Sequence, residues 1–161
     1  MTIKPGDSLP EATLATMTPD GPRPVSTAEL FGKGTTALFA VPGAFTPTCS
    51  ARHLPGFKDK KDELTAKGVD RIVCVSVNDP FVMGAWAEQQ GLSGDDVLLA
   101  ADGNGDFTRK LGLELDATGF GMGKRSQRYS MLVKDGVVKE LNVEQGGEFK
   151  VSSAEHLLTQ L

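Results

Sequence analysis

The stretch TTALFAVPGAFTPTCS, residues 35–50, contains the change of pattern that decides the fold. Residues 35–41 are apolar or β-branched without alternation, which is typical of a strand buried on both faces. Two prolines, one glycine and two threonines then specify a tight turn, and a helical segment begins near Cys49. A merely structural cysteine usually lies inside an apolar strand or helix, so a thiol at the mouth of a helix indicates chemistry.

Strand and helix patterns alternate to the end of the chain. The predicted elements are, in order, a strand at 35–41, a helix at 49–66, a strand at 71–77, a helix that begins at Pro80 after Asn78 or Asp79 and stops at Gly91, a strand at 96–102, a short helix capped by Asp106, a hairpin that turns at Asp135-Gly136, and a final helix opened by a capping box of Ser152 and Glu155. Residues 1–34 are predicted to be loop with at most a short hairpin. This order predicts one α/β domain over residues 1–161, with a parallel sheet at its centre and an antiparallel hairpin added last.

The composition argues against several classes of function. A formal net charge of -4 gives no general electrostatic reason to expect nucleic acid or an anionic membrane as a partner. No apolar run approaches the ~18 residues of a membrane span, and residues 1–17 lack the apolar core of a secretory signal. Two cysteines are too few for a disulfide scaffold, and two histidines are too few for an ordinary zinc site. We therefore expect a protein of the reducing cytoplasm without a four-ligand zinc site.

Cys49 needs neighbouring groups that stabilise its thiolate if it is to react at neutral pH. A cysteine thiol with an ordinary pKa of about 8.5 is only a few per cent thiolate at pH 7. A helix N-terminus usually stabilises a negative charge by about 0.3–1 kcal/mol, whereas a reactive thiol needs about 3 kcal/mol. Thr46 offers a hydroxyl three residues before the cysteine, and Pro42 shields the approach with a ring that has no N–H. The rest should come from an arginine, which stays charged and donates several hydrogen bonds. Spacing leaves six candidates open: Arg23, Arg52, Arg71, Arg109, Arg125 and Arg128.

Pro55 interrupts the helix that Cys49 opens. Its ring clashes with the carbonyl of Ala51, four residues earlier, and its missing N–H removes one helical hydrogen bond. We therefore predict that the first turn and a half of this helix is kinked and weaker than the rest.

These residues resemble one protein family. VPGAFTPTCSARHLPGF (41–57) is similar to the active-site stretch of the peroxiredoxins, and specifically of the peroxiredoxin-5 subfamily, which includes plant type II and bacterial glutaredoxin-dependent enzymes. Pro42, Thr46 and Cys49 match the family's P-x-x-x-T-x-x-C. The resemblance covers nearly the whole chain and implies a thioredoxin fold, with a central mixed sheet flanked by helices. It also selects Arg128 as the arginine that meets Cys49. Three further segments resemble the subfamily in order and spacing: KGVDRIVCVSVNDPFVMGAW (67–86), ADGNGDFTRKLGL (101–113) and RSQRYSMLVKDGVVKELNVE (125–144).

The resemblance implies a thiol-dependent peroxidase that reduces hydrogen peroxide and small alkyl hydroperoxides. The Cys49 thiolate would attack the terminal peroxide oxygen and become a sulfenic acid. Thr46 and Arg128 would hold the peroxide oxygens. The backbone N–H groups of Thr48 and Cys49 would assist them, and Pro42 would keep water out of the pocket. The family's dimers imply a homodimer here, and no cofactor is implied.

The chain departs from part of the family near its carboxyl terminus. Animal members carry a resolving cysteine close to the position of FKVSS (149–153), where this chain has Val151 and Ser152. That intramolecular disulfide cannot form here, so recycling is expected to use glutathione, directly or through glutaredoxin, or else thioredoxin. Cys74, where plant-type members also have a cysteine, lies in the middle of an apolar strand. We interpret Cys74 as structural, and a resolving thiol is the alternative.

His53, Lys124 and Arg125 each have an ordinary and a functional interpretation. His53 lies four residues after Cys49 on one helix face, which would suit a cysteine hydrolase, but we expect a packing or hydrogen-bonding role. Lys124 and Arg125 are expected in a solvated loop, or as local attraction for anionic glutathione, rather than in a nucleic-acid patch. A non-catalytic thioredoxin-fold binding or chaperone module is the rival function. Such a module has no physical need for Pro42, Thr46, Cys49 and Arg128 together.

Two glycine-rich motifs and one apolar helix face remain. DGNGD (102–106) is not followed by the glycine and glutamate of a calcium loop, and GFGMGKRS (119–126) lacks the first glycine of a phosphate loop. Both are therefore predicted to be ordinary turns. Phe81, Met83 and Trp86 fall at a spacing that suits either the core or a dimer interface.

Overall fold

The computed structural model describes residues 2–93 and 96–161. Within these residues the strands are β1 (Thr13–Thr18), β2 (Gly21–Ser26), β3 (Thr35–Val41), β4 (Arg71–Ser76), β5 (Leu98–Ala101), β6 (Glu114–Asp116), β7 (Lys124–Ser126), β8 (Tyr129–Lys134) and β9 (Val137–Val143). The α-helices are α1 (Thr27–Phe31), α2 (Leu54–Asp59), α3 (Lys61–Ala66), α4 (Pro80–Gln89), α5 (Asp106–Leu111) and α6 (Ala154–Leu158). A π-helical turn (Cys49–His53) precedes α2, and a 3-10 turn (Thr118–Phe120) follows β6. None of the helices in this part of the chain is both long and apolar enough to cross a membrane.

Seven strands form one mixed sheet in the order β2-β1-β5-β4-β3-β8-β9. β3, β4 and β5 are parallel, since helices connect each of them to the next, and β8 and β9 extend β3 as an antiparallel hairpin. That hairpin turns at Asp135 and Gly136, which have φ values of 50° and 80°. Positive φ at both positions is what a tight two-residue turn requires. The predicted parallel centre and added hairpin are confirmed.

An apolar layer covers each face of this sheet. Phe31 and Phe107 belong to one layer, whereas Phe39, Trp86 and both cysteines belong to the other. β3 is buried from its second residue to its last, as its continuous apolar pattern predicts. The carboxyl end of β3 therefore delivers the chain directly above a dense apolar layer.

The amino-terminal region has more structure than its composition predicted. β1 and β2 pair over six residues each, and α1 follows immediately. Pro22 and Pro24 concealed this hairpin, because a proline cannot donate to a sheet ladder. β2 is an edge strand, where the missing donors are tolerated. The expectation of loop with at most a short hairpin therefore underestimated this region.

The cap of α5 differs from the prediction. Asp106 is the first residue of the helix rather than its cap. The carboxylate of Asp102 fulfils that role, since it accepts hydrogen bonds from the N–H groups of Phe107 and Thr108 at 3.2 and 2.9 Å. At α4, by contrast, Asp79 is the cap, which is one of the two residues predicted for it.

The cap of α6 is displaced by one residue from the prediction. The side chain of Ser153, not Ser152, accepts a hydrogen bond from the N–H of His156 at 3.1 Å. The predicted capping box of Ser152 and Glu155 is therefore wrong. Ser152 is completely buried and is bonded elsewhere, which has consequences for the site described below.

The predicted helix at 49–66 is divided into three pieces. In the π-helical turn, the N–H of Leu54 donates to the carbonyl of Cys49, five residues back instead of four. Pro55 has no N–H to continue the regular ladder, and the wider turn accommodates its ring. α2 and α3 then meet at Lys60, which leaves the helical region. The irregularity predicted after Cys49 is confirmed, and π-helical turns of this kind often occur at functional sites.

A second sheet, formed by β6 and β7 alone, was not predicted. The GFGMGKRS stretch, expected to be a turn throughout, supplies β7 with its last three residues. The loop between the two strands carries Phe120, which is 86% exposed, and Met122. The small sheet thus presents apolar side chains beside the end of β3.

Candidate active site

Cys49 follows the turn 42–48 and opens the π-helical turn, with its side chain completely buried. The turn contains a strained residue, because Phe45 has a φ of 67°, a value that residues other than glycine rarely adopt. Asn78 secures the turn, since its side-chain oxygen accepts a hydrogen bond from the N–H of Ala44 at 3.0 Å. The position of the sulfur is therefore set by β3 and by the loop that follows β4.

Two side chains contact the sulfur of Cys49. Thr46 Oγ1 lies 2.7 Å from it, and Arg128 Nη2 donates to it at 3.0 Å. The hydroxyl of Thr46 has a single proton, which it donates either to the sulfur or to the carbonyl of Gly43, 2.8 Å away. Arg128 places a hydrogen-bond donor and a positive charge directly against the sulfur. The hydroxyl and the arginine that the sequence analysis expected beside Cys49 therefore both contact its sulfur.

The other five candidate arginines have partners elsewhere. These are Glu29 for Arg23, the ring of Phe149 for Arg52, the carbonyl of Leu30 for Arg71, Asp106 for Arg109, and two backbone carbonyls for Arg125. Arg128 lies 79 positions after Cys49 in the sequence. It reaches the sulfur because β8, which begins at the next residue, lies beside β3. The choice made by resemblance agrees with the geometry.

Arg125 corrects the prediction of a solvated surface residue. It is half-buried, and it donates from Nε to the carbonyl of Met122 at 2.8 Å and from Nη1 to the carbonyl of Val77 at 3.0 Å. These bonds join the loop before β7 to the loop after β4. Lys124, in contrast, pairs with Asp116 in an exposed ion pair, as a solvated loop predicts.

His53 orients Arg128. The histidine is completely buried, and its Nδ1 lies 2.9 Å from Nη1 of Arg128. A guanidinium only donates, so Nδ1 accepts and the ring proton is on Nε2. That proton is donated to the carbonyl of Ser152 at 2.8 Å. Burial, together with the charge of Arg128, lowers the pKa of His53 to about 3, so the ring is neutral at physiological pH. The expected hydrogen-bonding role of His53 agrees with these contacts.

We expect this buried neutral histidine to make the protein less stable as the pH falls. The pKa of His53 is about 3 in the folded protein and about 6.5 in the unfolded chain, so only the unfolded chain binds a proton in between. The contribution of His53 to the free energy of unfolding is present above about pH 6.5. The free energy of unfolding falls by about 2 kcal/mol between pH 7 and pH 5 as that contribution is lost. Urea unfolding at the two pH values should show a smaller loss for His53→Gln than for the wild type. His156→Gln, which changes the other histidine, is the control. Equal pH dependence of wild type and His53→Gln would contradict the expectation.

A cleft of about 400 Å³ adjoins Thr46 and Arg128, the two residues that are hydrogen-bonded to the sulfur of Cys49. Pro42, Thr46, Thr48 and Arg128 line it, and Leu115, Phe120 and Met122 give it an apolar wall. Cys49 itself does not line the cleft, so a small molecule there would meet Thr46 and Arg128, which contact the buried sulfur. The site thus combines a thiol, two convergent donors and an apolar approach.

Cys74 lies in the middle of β4, opposite Phe39 of β3, and is completely buried in the same apolar layer as Cys49. Burial raises the pKa of the Cys74 thiol well above its usual range, and a negative charge on Cys49 raises it further, while Arg128 opposes both. A thiol that stays protonated is a poor nucleophile. These properties favour the structural interpretation of Cys74.

Phe81, Met83 and Trp86 of α4, which the sequence placed either in the core or at a dimer interface, have different environments. Met83 and Trp86 are buried in the core, whereas Phe81 is 66% exposed. The indole N–H of Trp86 donates to the hydroxyl of Ser50 at 2.9 Å. α4 therefore contacts the residue that follows Cys49.

Two polar residues of the site were not identified from the sequence. Asn78 was considered only as a helix cap, although its side chain secures the turn before Cys49. Glu144, at the end of β9, lines the cleft and is 5% exposed. A lone glutamate ahead of a glycine pair carries no local signal of burial, so only the fold could reveal it.

Comparisons with known proteins point to one family. The Redoxin family matches residues 4–158. The chain is 57% identical to chloroplastic peroxiredoxin-2E-2 of Oryza sativa subsp. japonica, over 99% of this chain and 73% of that protein. It is 43% identical to the hybrid peroxiredoxin hyPrx5 of Haemophilus influenzae, over 100% and 67%. A crystal structure of reduced Prx3 from Vibrio vulnificus in complex with hydrogen peroxide is 52% identical, with a TM-score of 0.93 and 99% coverage of both chains. These similarities confirm the predicted thioredoxin fold.

Proposed function

This chain belongs to the type II and peroxiredoxin-5 group of the peroxiredoxins and is a thiol-dependent peroxidase with an antioxidant function, and from that premise we propose that Cys49 is the residue that peroxide oxidises. The observation that carries the proposal is the meeting of Thr46 Oγ1 and Arg128 Nη2 at the Cys49 sulfur. A cysteine that served only packing would need neither donor. Cys74, which has no such donors among its described contacts, illustrates the difference.

The proposed step transfers one oxygen atom to the sulfur. The thiolate of Cys49 attacks the terminal oxygen of the peroxide, an S–O bond forms, and the O–O bond breaks with its electron pair on the second oxygen. The sulfur becomes a sulfenic acid, and the hydroxide or alkoxide takes a proton from water to leave as water or an alcohol. Hydrogen peroxide and small alkyl hydroperoxides both have a terminal peroxide oxygen and an O–O bond that can break in this way.

Four residues around Cys49 have proposed roles in this step. Thr46 and Arg128 donate hydrogen bonds to the peroxide oxygens and stabilise the charge that develops on the leaving oxygen. The backbone N–H groups of Thr48 and Cys49, at the start of the π-helical turn, add to the same site. Pro42 covers the approach without an N–H of its own, which limits the entry of water.

The rival functions fit the site less well. A cysteine hydrolase would use His53 as a base, but Nδ1 faces the Arg128 guanidinium and Nε2 contacts the Ser152 carbonyl. The low pKa of His53 also makes it a weak proton acceptor. A non-catalytic binding module would not need a charged arginine held against a buried sulfur.

The reductant of the sulfenic acid is proposed to be an external thiol, with glutathione, directly or through glutaredoxin, as the first choice and thioredoxin as the second. The chain has two cysteines, and Cys74 is held inside a central strand with a raised pKa. Val151 and Ser152 occupy the region where some relatives would place a resolving cysteine.

We expect Cys74→Ala to retain most of the peroxidase activity, because a buried protonated thiol contributes nothing to the proposed cycle. Turnover of hydrogen peroxide is to be measured for wild type and variant with glutathione alone, with glutathione and glutaredoxin, and with thioredoxin. The highest rate is expected with glutathione and glutaredoxin. A collapse of activity in the folded variant with every reductant would make Cys74 a resolving thiol instead. Activity with thioredoxin but not with glutathione, with or without glutaredoxin, would exclude the first-choice reductant.

The protein is further proposed to form a homodimer in a reducing cytoplasm. Phe45, Phe81 and Phe120 are 45%, 66% and 86% exposed, which is unusual for large apolar side chains, and a second copy would cover such surface. A single species of monomer mass in sedimentation velocity would contradict the dimer. The cytoplasmic location is a prediction from cysteine content, and the relative from Oryza sativa is named as chloroplastic.

A further inference from the structure

Glu144 holds the segment that precedes α6. Its carboxylate oxygen Oε2 accepts four hydrogen bonds from three consecutive residues. The donors are the N–H of Lys150 at 2.9 Å, the N–H of Val151 at 2.9 Å, the N–H of Ser152 at 2.7 Å and the hydroxyl of Ser152 at 2.6 Å. Burial alone would raise the pKa of Glu144, but the Ser152 hydroxyl and the three N–H groups outweigh it and lower the pKa below the usual value. A charged carboxylate thus organises residues 150–152.

Ser152 connects this carboxylate to the active site. Its N–H and hydroxyl bind Glu144, while its carbonyl accepts the Nε2 proton of His53. His53 in turn accepts a hydrogen bond from Nη1 of Arg128, whose Nη2 donates to Cys49. An unbroken series of hydrogen bonds therefore runs from Glu144 to the sulfur.

The same segment makes a second contact with this series. Phe149 lies one residue before the three that Glu144 binds. Its ring centroid is 5.0 Å from that of His53, and the guanidinium carbon of Arg128 is 6.0 Å from it. The segment that Glu144 fixes thus packs against both residues that lie between it and Cys49.

We propose that Glu144 is a positioning residue of the peroxidase, which sets Arg128 against Cys49 through Ser152 and His53. The tautomer of the histidine ring carries the effect. With the Ser152 carbonyl in place, the ring proton stays on Nε2 and Nδ1 accepts from Arg128. If the carbonyl moved away, a proton on Nδ1 would oppose the Nη1 donor of Arg128 and displace the guanidinium. The inference rests on the proposed role of Arg128.

The first test is Glu144→Gln, which keeps the shape of the side chain and removes its charge. We expect the rate constant for oxidation of Cys49 by hydrogen peroxide to fall roughly tenfold to a hundredfold, the cost of a catalytic group displaced by about 1 Å. Nitrogen-15 NMR should show the His53 ring losing its pure Nε2-protonated form, a signature that loss of stability alone would not produce. The chain has two histidines, so His156→Gln assigns the signals.

Glu148→Gln is the matched control, because Glu148 lies in the same segment but pairs with Lys150 at the surface. We expect it to leave both the rate and the His53 signals unchanged. Ser152→Ala is the milder variant if Glu144→Gln does not fold. It removes one of the four donors and keeps the carbonyl that His53 contacts, so a smaller change in the same direction is expected. Wild-type rates and signals in folded Glu144→Gln and Ser152→Ala would overturn the proposal.

A double-mutant cycle distinguishes the proposed positioning role of Glu144 from the proposed role of Arg128 in the peroxide step. If Glu144 acts through Arg128, Glu144→Gln should have little further effect in an Arg128→Ala background. Equal effects of Glu144→Gln with and without Arg128 would overturn the positioning role. An Arg128→Ala variant that reacts at the wild-type rate would instead overturn the proposed role of Arg128 itself.

Discussion

Replacing Cys49 by serine is expected to abolish peroxidase turnover, with a loss of more than about 10³-fold, because the variant has no sulfur nucleophile. A serine hydroxyl stays protonated near neutral pH even with Thr46 and Arg128 beside it, and oxygen does not form the sulfenic acid on which the cycle depends. The side chains are nearly the same size, so the fully buried site should remain folded.

The measurement is the consumption of hydrogen peroxide with glutathione and glutaredoxin, together with a titration of thiols before and after peroxide. Wild type should lose one reactive thiol, and Cys49→Ser none. Cys74→Ala is the matched control, since it removes the other cysteine of the chain and should leave the reactive thiol in place. Substantial turnover by Cys49→Ser would refute the assignment of Cys49.

Replacing Arg128 by alanine is expected to slow the oxidation of Cys49 by about 10²–10³-fold, the usual effect of losing one donor that stabilises developing charge. The sulfur of Cys49 would also lose the guanidinium that donates a hydrogen bond to it. Nδ1 of His53 would lose its donor at the same time.

Arg128→Lys distinguishes charge from geometry. Lysine keeps the positive charge, but its ammonium lacks the planar fork that reaches Cys49 and His53 together. An intermediate rate is therefore expected. Arg23→Ala removes an exposed arginine that pairs with Glu29 and controls for net charge. Stopped-flow measurement gives the rate of oxidation of Cys49 by hydrogen peroxide in each variant. An unchanged rate in Arg128→Ala would show that another group activates the sulfur.

The proposed reacting centre could be predicted from the sequence because its signals are local. The strand 35–41, the turn with Pro42 and Thr46, and the cysteine at a helix mouth lie within one short stretch. Arg128 could not be found that way, since spacing left six arginines open and only the resemblance chose between them. Its approach to the sulfur depends on β8 pairing with β3, which is a property of the whole sheet.

The misjudged residues share a physical cause. Arg125 looked like part of a solvated loop, but its guanidinium donates to two backbone carbonyls, one of them on the distant Val77, which no local pattern reveals. Ser152 looked like a helix cap because the neighbouring Ser153 has the same chemistry, and only the position of Glu144 decides which serine turns inward. In each case a tertiary contact, with Val77 for Arg125 and with Glu144 for Ser152, outweighed the local preference.

The hydrogen bond between Trp86 and Ser50 gives the protein an optical reporter of its own. The chain has one tryptophan, and its completely buried indole donates a hydrogen bond to Ser50, the residue that follows Cys49 in the sequence. Any rearrangement that carries Ser50 away from α4 would change the polarity around that indole, and hence the colour and intensity of its emission. An oxidation of Cys49 that displaced Ser50 would therefore be visible by intrinsic fluorescence in unlabelled protein.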